Sequence, residues 1–269
     1  MKTLAAVCQM SSGPDRQENL AAAVDLVEEA AGLGARLVCL PENFEQMASG
    51  EEKRARAEPI EGPSISALRA VAAARRLTLV CGSFAEAAGA GRIHNTSVLV
   101  GPDGAILAVY RKIHLFDVDL ADGARYRESE WVAPGGEAVV ADTALGRVGL
   151  SICYDLRFPE LYRRLSAAGA QILAVPSAFT LATGRDHWEV LLRARAIENQ
   201  CYVVAAAQVG EHPGHRVTYG RSMIVDPWGT VLCCCPDGPG VAIAEIDRER
   251  EARVRASLPA LTHRRLDVP

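Results

Sequence analysis

Apolar positions along this chain fall into short unbroken runs that stop abruptly at polar or turn-forming residues. Arg36-Leu37-Val38-Cys39-Leu40 stops at Pro41-Glu42, Ala105-Ile106-Leu107-Ala108-Val109-Tyr110 at Arg111-Lys112, and Gly149-Leu150-Ser151-Ile152 at Cys153-Tyr154-Asp155. Runs of this length with such ends predict buried strands that deliver the next side chain to the rim of a sheet. Between the strands the apolar period lengthens. Residues 15–31 carry Leu20, Val24 and Val27 at helical spacing, with Glu28 and Glu29 outside. Residues 64–76 follow the helix-start signal Gly62-Pro63, and residues 159–168 and 186–199 predict helices in the second half.

The pattern repeats once. Gly34-Ala35-Arg36-Leu37-Val38-Cys39-Leu40-Pro41 matches Gly169-Ala170-Gln171-Ile172-Leu173-Ala174-Val175-Pro176. Ser97–Leu107 matches Ser222–Leu232, each with Pro-x-Gly at a hairpin turn, and Leu77–Gly82 matches Cys201–Ala206. Two copies predict a duplicated fold rather than a solenoid. Each half forms a small α/β layer with helices on one face, and its other sheet face needs a partner. The expected fold is α/β: a four-layer α-β-β-α sandwich with internal pseudo-twofold duplication, one domain over residues 1–269. The alternative, two separate doubly wound domains, needs a linker near residues 120–145, where Ala121-Asp122-Gly123 and Gly135-Gly136 read as loop.

Composition narrows the setting. With 269 residues, 49% hydrophobic and 23% charged, the chain can bury a full core. A formal charge of −4 offers no electrostatic reason to expect nucleic acid or an anionic membrane. No run approaches the roughly 18 apolar residues of a membrane span. The apolar start Leu4-Ala5-Ala6-Val7-Cys8 is too short for a secretory signal, so the cytoplasm is the expected location. The 8 cysteines lie scattered in apolar runs without CxxC or zinc-finger spacing, which predicts buried reduced thiols. Cys233-Cys234-Cys235 reads as alternation at a strand end. No HExxH, Walker loop or GxGxxG is present, so neither a metal nor a cofactor is expected.

A lone strand cysteine is ordinarily core, Glu42 alone could be a loop acid, and Lys112 a surface lysine. The duplication brings their strand ends together, and ligands gather at the carboxyl ends of strands in α/β sheets. A thiol attacks only as thiolate. Glu42, shielded from water, can take its proton, and Lys112 lowers the cost of the anion. The Lys112 ammonium and the Tyr154 backbone N–H can then donate to the oxyanion of an attacked amide. His114 offers a histidine-based rival, yet Ser151 and Asp155 occupy the glycine places of a Gly-x-Cys-x-Gly elbow.

Together Pro41-Glu42-Asn43-Phe44, Tyr110-Arg111-Lys112-Ile113-His114-Leu115-Phe116-Asp117 and Cys153-Tyr154-Asp155-Leu156-Arg157-Phe158-Pro159-Glu160 resemble the nitrilase superfamily of carbon–nitrogen hydrolases across essentially the whole chain. The resemblance implies the α-β-β-α fold, a Glu42–Lys112–Cys153 triad and a thioester intermediate. It also implies homodimers or higher homo-oligomers joined through the helix after the nucleophile and the C-terminal segment. It matches Glu128 to a second glutamate near the triad; without it, Glu128 reads as a solvated acid.

Arg157, four residues past Cys153, either binds a substrate carboxylate or pairs with Glu160 or Asp155. The segment Pro176–Gly184 is the counterpart of the loop bearing Glu42, so Phe179 and Thr183 are pocket candidates, with core as the other reading of Phe179. His187–Glu198 and Tyr219–Gly229 resemble the amidase branch acting on deaminated glutathione. The sister branch, omega-amidases of 2-oxo-acid amides, shares Arg157 and Thr183. Arg185-Asp186 departs from that group and leaves the pocket entrance open. The expected function is hydrolysis of a small carboxylate-bearing amide with release of ammonia or amine. N-carbamoyl amino acid hydrolysis, nitrile hydrolysis and a non-catalytic dimeric scaffold remain alternatives.

Overall fold

The computed structural model describes residues 2–119, 123 and 125–266, so the expected loop at Ala121-Asp122 lies outside the described residues. The first half runs β1 (Lys2–Gln9), α1 (Arg16–Gly32), β2 (Leu37–Cys39), α2 (Gly50–Ala55), α3 (Pro63–Arg75), β3 (Thr78–Val80), β4 (Phe84–Ala87), β5 (Ile93–Val100) and β6 (Ile106–Arg111). A hairpin of β7 (Asp117–Asp119) and β8 (Arg125–Arg127) leads to a 3₁₀ turn, Glu128–Glu130. The second half runs β9 (Val140–Thr143), β10 (Gly146–Leu150), a 3₁₀ turn (Cys153–Arg157), α4 (Pro159–Ala167), β11 (Ile172–Ala174), α5 (Leu181–Asn199) and β12 (Tyr202–Ala205). There follow β13 (Val209–His212), β14 (Arg216–Tyr219), β15 (Met223–Val225), β16 (Val231–Cys234), β17 (Gly240–Asp247) and α6 (Arg248–Ser257).

The duplication is visible in topology. One sheet has the order β17-β1-β2-β3-β5-β4, with β6 also on β5, and the other β16-β15-β12-β11-β10-β9. In each, three parallel strands are flanked by antiparallel ones, and the hairpins β5–β6 and β15–β16 carry a register shift at Leu99/Val100 and Ile224/Val225. Those positions are equivalent in the repeat. Gly34 and Gly169 both take positive φ, as do Gly104 and Gly229.

Strand alternation assigns the layers. On β1, Ala5 and Val7 join Leu37 and Cys39 in the core shared with the second sheet, which includes Leu150, Ile172 and Val204. Ala6 and Cys8 face the other way, with Val38 and Leu40, onto Val27 of α1 and Ile65 and Leu68 of α3. Helices α4 and α5 cover the second sheet through Tyr162, Leu165, Trp188 and Leu192. The molecule is the expected four-layer α-β-β-α sandwich, and one core cluster draws side chains from both halves.

Helix α1 is capped by the Asp15 carboxylate, which accepts from the N–H groups of Gln17 and Glu18, but its buried face is Asn19, Ala23, Val27 and Ala30. Leu20 and Val24 sit at the margin of that face. Helix α5 begins at Leu181, capped by Thr180, rather than at residue 186. Thr183 and Gly184 are therefore helical: the Thr180 hydroxyl accepts from the Thr183 N–H and the Thr180 carbonyl from the Gly184 N–H. Helices α2 and α6 carry mostly charged residues, a composition with little apolar period to detect.

The turn after β3 braces the turn after β2. Gly82 has φ of 60°, and a Cβ there would lie 2.1 Å from the Pro41 carbonyl oxygen. The Ser83 hydroxyl accepts from the Asn43 N–H at 3.0 Å, and Phe44 N–H donates to the Ser83 carbonyl at 3.1 Å. Gly82→Ala should lower stability by about 2–4 kcal/mol, from positive φ plus overpacking. An unchanged denaturant midpoint would show that the two turns are not tightly braced.

Candidate active site

Glu42, Lys112 and Cys153 leave the ends of β2, β6 and β10 and line one cavity of about 230 Å³. Their turns are built for it. Asn43, after the glutamate, has φ of 55°, and Cys153 itself has φ of 50°. Left-handed backbone costs a non-glycine residue about 1–2 kcal/mol. At Cys153 the turn is held by its N–H donating to the Pro176 carbonyl at 2.9 Å and by Asp155, which accepts from the Ile152 N–H at 2.8 Å. Asp155 also accepts from the Tyr110 hydroxyl at 2.7 Å and from the His114 N–H at 3.0 Å, tying this turn to the Lys112 segment.

Lys112 is almost fully buried, and its ammonium donates to Glu42 Oε1 at 2.9 Å and to Glu128 Oε2 at 2.9 Å. Asn95 on β5 bridges the same two carboxylates, donating to Glu42 Oε1 at 2.9 Å and Glu128 Oε1 at 3.2 Å. The Phe116 N–H donates to Glu128 Oε2 at 2.7 Å. Glu42 Oε2 is buried without a hydrogen-bond partner among the described residues, and the Cys153 thiol lies against this carboxylate.

The protonation states follow. Burial alone would raise the Glu42 carboxyl, but the Lys112 ammonium, with Arg216 behind it, holds it well below the usual carboxylate range. Burial pushes the Cys153 thiol up and the Glu42 charge adds to this, while Lys112 and the Ala178 N–H oppose it. Burial would lower Lys112, but Glu128 and Glu42 overcome it and raise its pKa. At rest the site holds a carboxylate base, a neutral thiol and an ammonium. Such a set can deprotonate sulfur as it attacks and supply a cation to the developing oxyanion.

The remaining expected residues, Glu128, Tyr154, Arg157, Phe179 and Thr183, line the same cavity. Glu128 is buried and bonded to Lys112, so it is no solvated acid. Arg157 pairs with neither Glu160 nor Asp155; its guanidinium contacts His187 Nδ1 at 3.2 Å and lies over the rings of Phe179 and Tyr154. No carboxylate among the described residues forms a salt bridge with it. Phe179 is both wall and core, packing on Trp188. His114 stacks on Phe158 and bonds Asp155, away from the cavity lining. Arg185 and Asp186 are exposed on the first turns of α5 and do not line the cavity.

Sequence reasoning did not single out Asn95, Lys53 or Arg216, all of which line the cavity. Asn95 carries little signal, because it stands in the polar stretch His94-Asn95-Thr96-Ser97 of a strand that is apolar only toward its end. Lys53 stands in the charged run Glu51-Glu52-Lys53-Arg54 and Arg216 beside the turn residues Pro213-Gly214, and both read as solvated surface.

Comparison with known proteins agrees with this geometry. The family model described as carbon-nitrogen hydrolase matches residues 4–256. A Synechocystis protein named deaminated glutathione amidase is 48% identical over 265 residues, covering 97% of this chain and 97% of that one. The Mus musculus protein of the same name is 46% identical over 271 residues, covering 98% of this chain and 84% of that one. The crystal structure of Saccharomyces cerevisiae Nit3, a member of branch 10 of the nitrilase superfamily, matches with a TM-score of 0.89 at 33% identity, over 98% of this chain and 97% of that one. The chain belongs to the carbon–nitrogen hydrolase family. It is accordingly a hydrolase of carbon–nitrogen bonds other than peptide bonds.

Lys53 supplies a prediction. It is almost fully buried, and its ammonium donates to Asn43 Oδ1 at 2.5 Å but makes no salt bridge among the described residues. Burial pushes its pKa down to about 8, against a partial pull upward from Glu45. A lysine with a lowered folded pKa destabilises the fold below that pKa, and the cost fades as pH rises toward the unfolded value. Lys53→Met should therefore stabilise the protein by about 1–3 kcal/mol at pH 7, with the gap closing between pH 8 and about 10.5. Denaturant unfolding at pH 7 and pH 10 checks this; a destabilised variant at pH 7 would contradict it.

Proposed function

We propose that the chain is an amidase acting through a Cys153 thioester on a small carboxylate-bearing amide, with deaminated glutathione as the substrate favoured by its relatives. The observation that carries the reading is the meeting of Glu42, Lys112 and Cys153 in a cavity that also receives the Arg157 guanidinium, free of carboxylate partners among the described residues. Its support from comparison is the name shared by relatives at 46–48% identity.

Glu42 takes the thiol proton as sulfur bonds to the amide carbon. The oxyanion forms beside the Lys112 ammonium and the Tyr154 N–H, both fixed before the reaction begins. Collapse breaks the carbon–nitrogen bond, and the departing ammonia or amine receives the proton from Glu42. Glu42 then deprotonates a water that attacks the thioester, and the free acid leaves as the proton returns to sulfur. Glu128 keeps Lys112 charged throughout, so the lysine serves as electrostatic donor and not as base. Arg157 and Thr183 hold the carboxylate of the acyl part between the faces of Phe179 and Tyr154. A primary amide of a 2-oxo acid would use these same contacts, which keeps the omega-amidase reading as second choice.

In this reading residues 1–269 act as one unit in the cytoplasm. The partner is a second copy of the chain, as a homodimer or higher oligomer that covers exposed apolar side chains such as Val190, Ile197 and Leu258. Among the described residues no helix is long and apolar enough to cross a membrane.

Cys153→Ala should abolish amide hydrolysis with an unchanged melting profile; retained turnover would reject the assignment. Lys112→Gln should lower kcat by about 10² or more. Arg157→Ala should raise KM for carboxylate-bearing amides well beyond its effect on neutral ones, and equal effects would remove Arg157 from substrate contact.

A further inference from the structure

Lys112 is balanced by Glu42 and Glu128, and Arg125 and Arg127 are paired with Asp119. Three other cations line the cavity without a salt bridge among the described residues: Arg157, Lys53 and Arg216. Arg157 lies over Phe179 and Tyr154. The other two stand elsewhere. Lys53, buried on α2, lies over the Trp131 ring beside Asn43, and Arg216 on β14 lies over Tyr126 and donates to the Ala178 carbonyl at 2.8 Å. Arg216 Nε is buried with no hydrogen-bond partner among the described residues. Lys53 and Arg216 are near enough to influence each other and Glu42. The two arginines lie over opposite ends of the ring series Tyr126–Phe116–Tyr154.

A buried ammonium and a half-buried guanidinium facing one cavity repel each other and lose hydration, an arrangement that an anion would relieve. We propose that Lys53 and Arg216 form a second carboxylate subsite, which binds an acidic group on the amine part of the substrate. Resting on the amidase reading, this makes the preferred substrate a dianion with one carboxylate on each side of the scissile amide. Arg157 takes the acyl-side carboxylate, and Lys53 with Arg216 takes the one that departs with the amine. A primary amide, whose leaving group is ammonia, has nothing to offer the second subsite. These two residues would therefore separate the two substrate classes that share Arg157 and Thr183.

The test measures binding without requiring turnover. In the Cys153→Ala protein, titration calorimetry compares N-glutarylglycine with N-glutarylglycinamide, which differ only in the terminal carboxylate. The expected result is at least tenfold tighter binding of the acid, falling by tenfold or more when Lys53→Gln is added, with a smaller effect on the amide. Lys53→Gln keeps a donor to Asn43; Arg216→Gln is an independent second variant, and melting curves verify that both fold. Equal affinity for the two ligands, absence of binding, or equal weakening of both by each variant overturns the subsite. Failure of the amidase reading shows separately, as no Cys153-dependent hydrolysis by the native chain while the binding preference stands.

Discussion

An ammonium shut away from water holds its proton less firmly unless anions surround it, and the two carboxylates around Lys112 raise its pKa despite burial. The same bonds act in the other direction on Glu42, which remains ionised in a site where burial alone would neutralise it. Removing either glutamate would change the charge of the other members, since a buried pair broken on one side leaves an uncompensated ion. Asn95 donates to both carboxylates and fixes their spacing. The thiol can stay neutral at rest because its base is already charged and adjacent. In the proposed mechanism Cys153 draws its reactivity from this neighbour and does not require an intrinsically acidic thiol.

The frame that holds this ion cluster is the duplicated sandwich. Three strand ends meet at one cavity: β2 and β10 come from the parallel centres of the two sheets, and β6 from the antiparallel hairpin with β5. Short connections do the fine placement. Gly82 permits the close approach that braces the Glu42 turn, and the Gln208 amide from the second half donates to the Glu42 carbonyl at 3.1 Å.

Much of this was legible in the chain itself. The abrupt ends of the apolar runs pointed to Glu42, Lys112 and Cys153, and the repeat placed them on one rim. From sequence Thr183 reads as loop, because a Thr-Gly pair near a helix start weakens the helical pattern, whereas the decisive signal is the capping hydroxyl of Thr180. Glu128 was ambiguous in its charged run, because burial depends on a hairpin whose partner strands are each three residues long. Lys53 and Arg216 were silent. Charged residues on a short helix and an edge hairpin resemble solvated surface, and only tertiary packing turns them inward.

Asp155 receives donors from the nucleophile turn, from Tyr110 of the strand before Lys112, and from the His114 backbone. One carboxylate therefore locks two of the three proposed catalytic groups into a common unit. Change that widens or reshapes the pocket has little room there. It is left to the segments outside this unit: helix α2, the β7–β8 hairpin and the β13–β14 hairpin. A lineage of such enzymes could exchange one acyl or amine partner for another by rebuilding those walls, while the chemical centre stayed immobile.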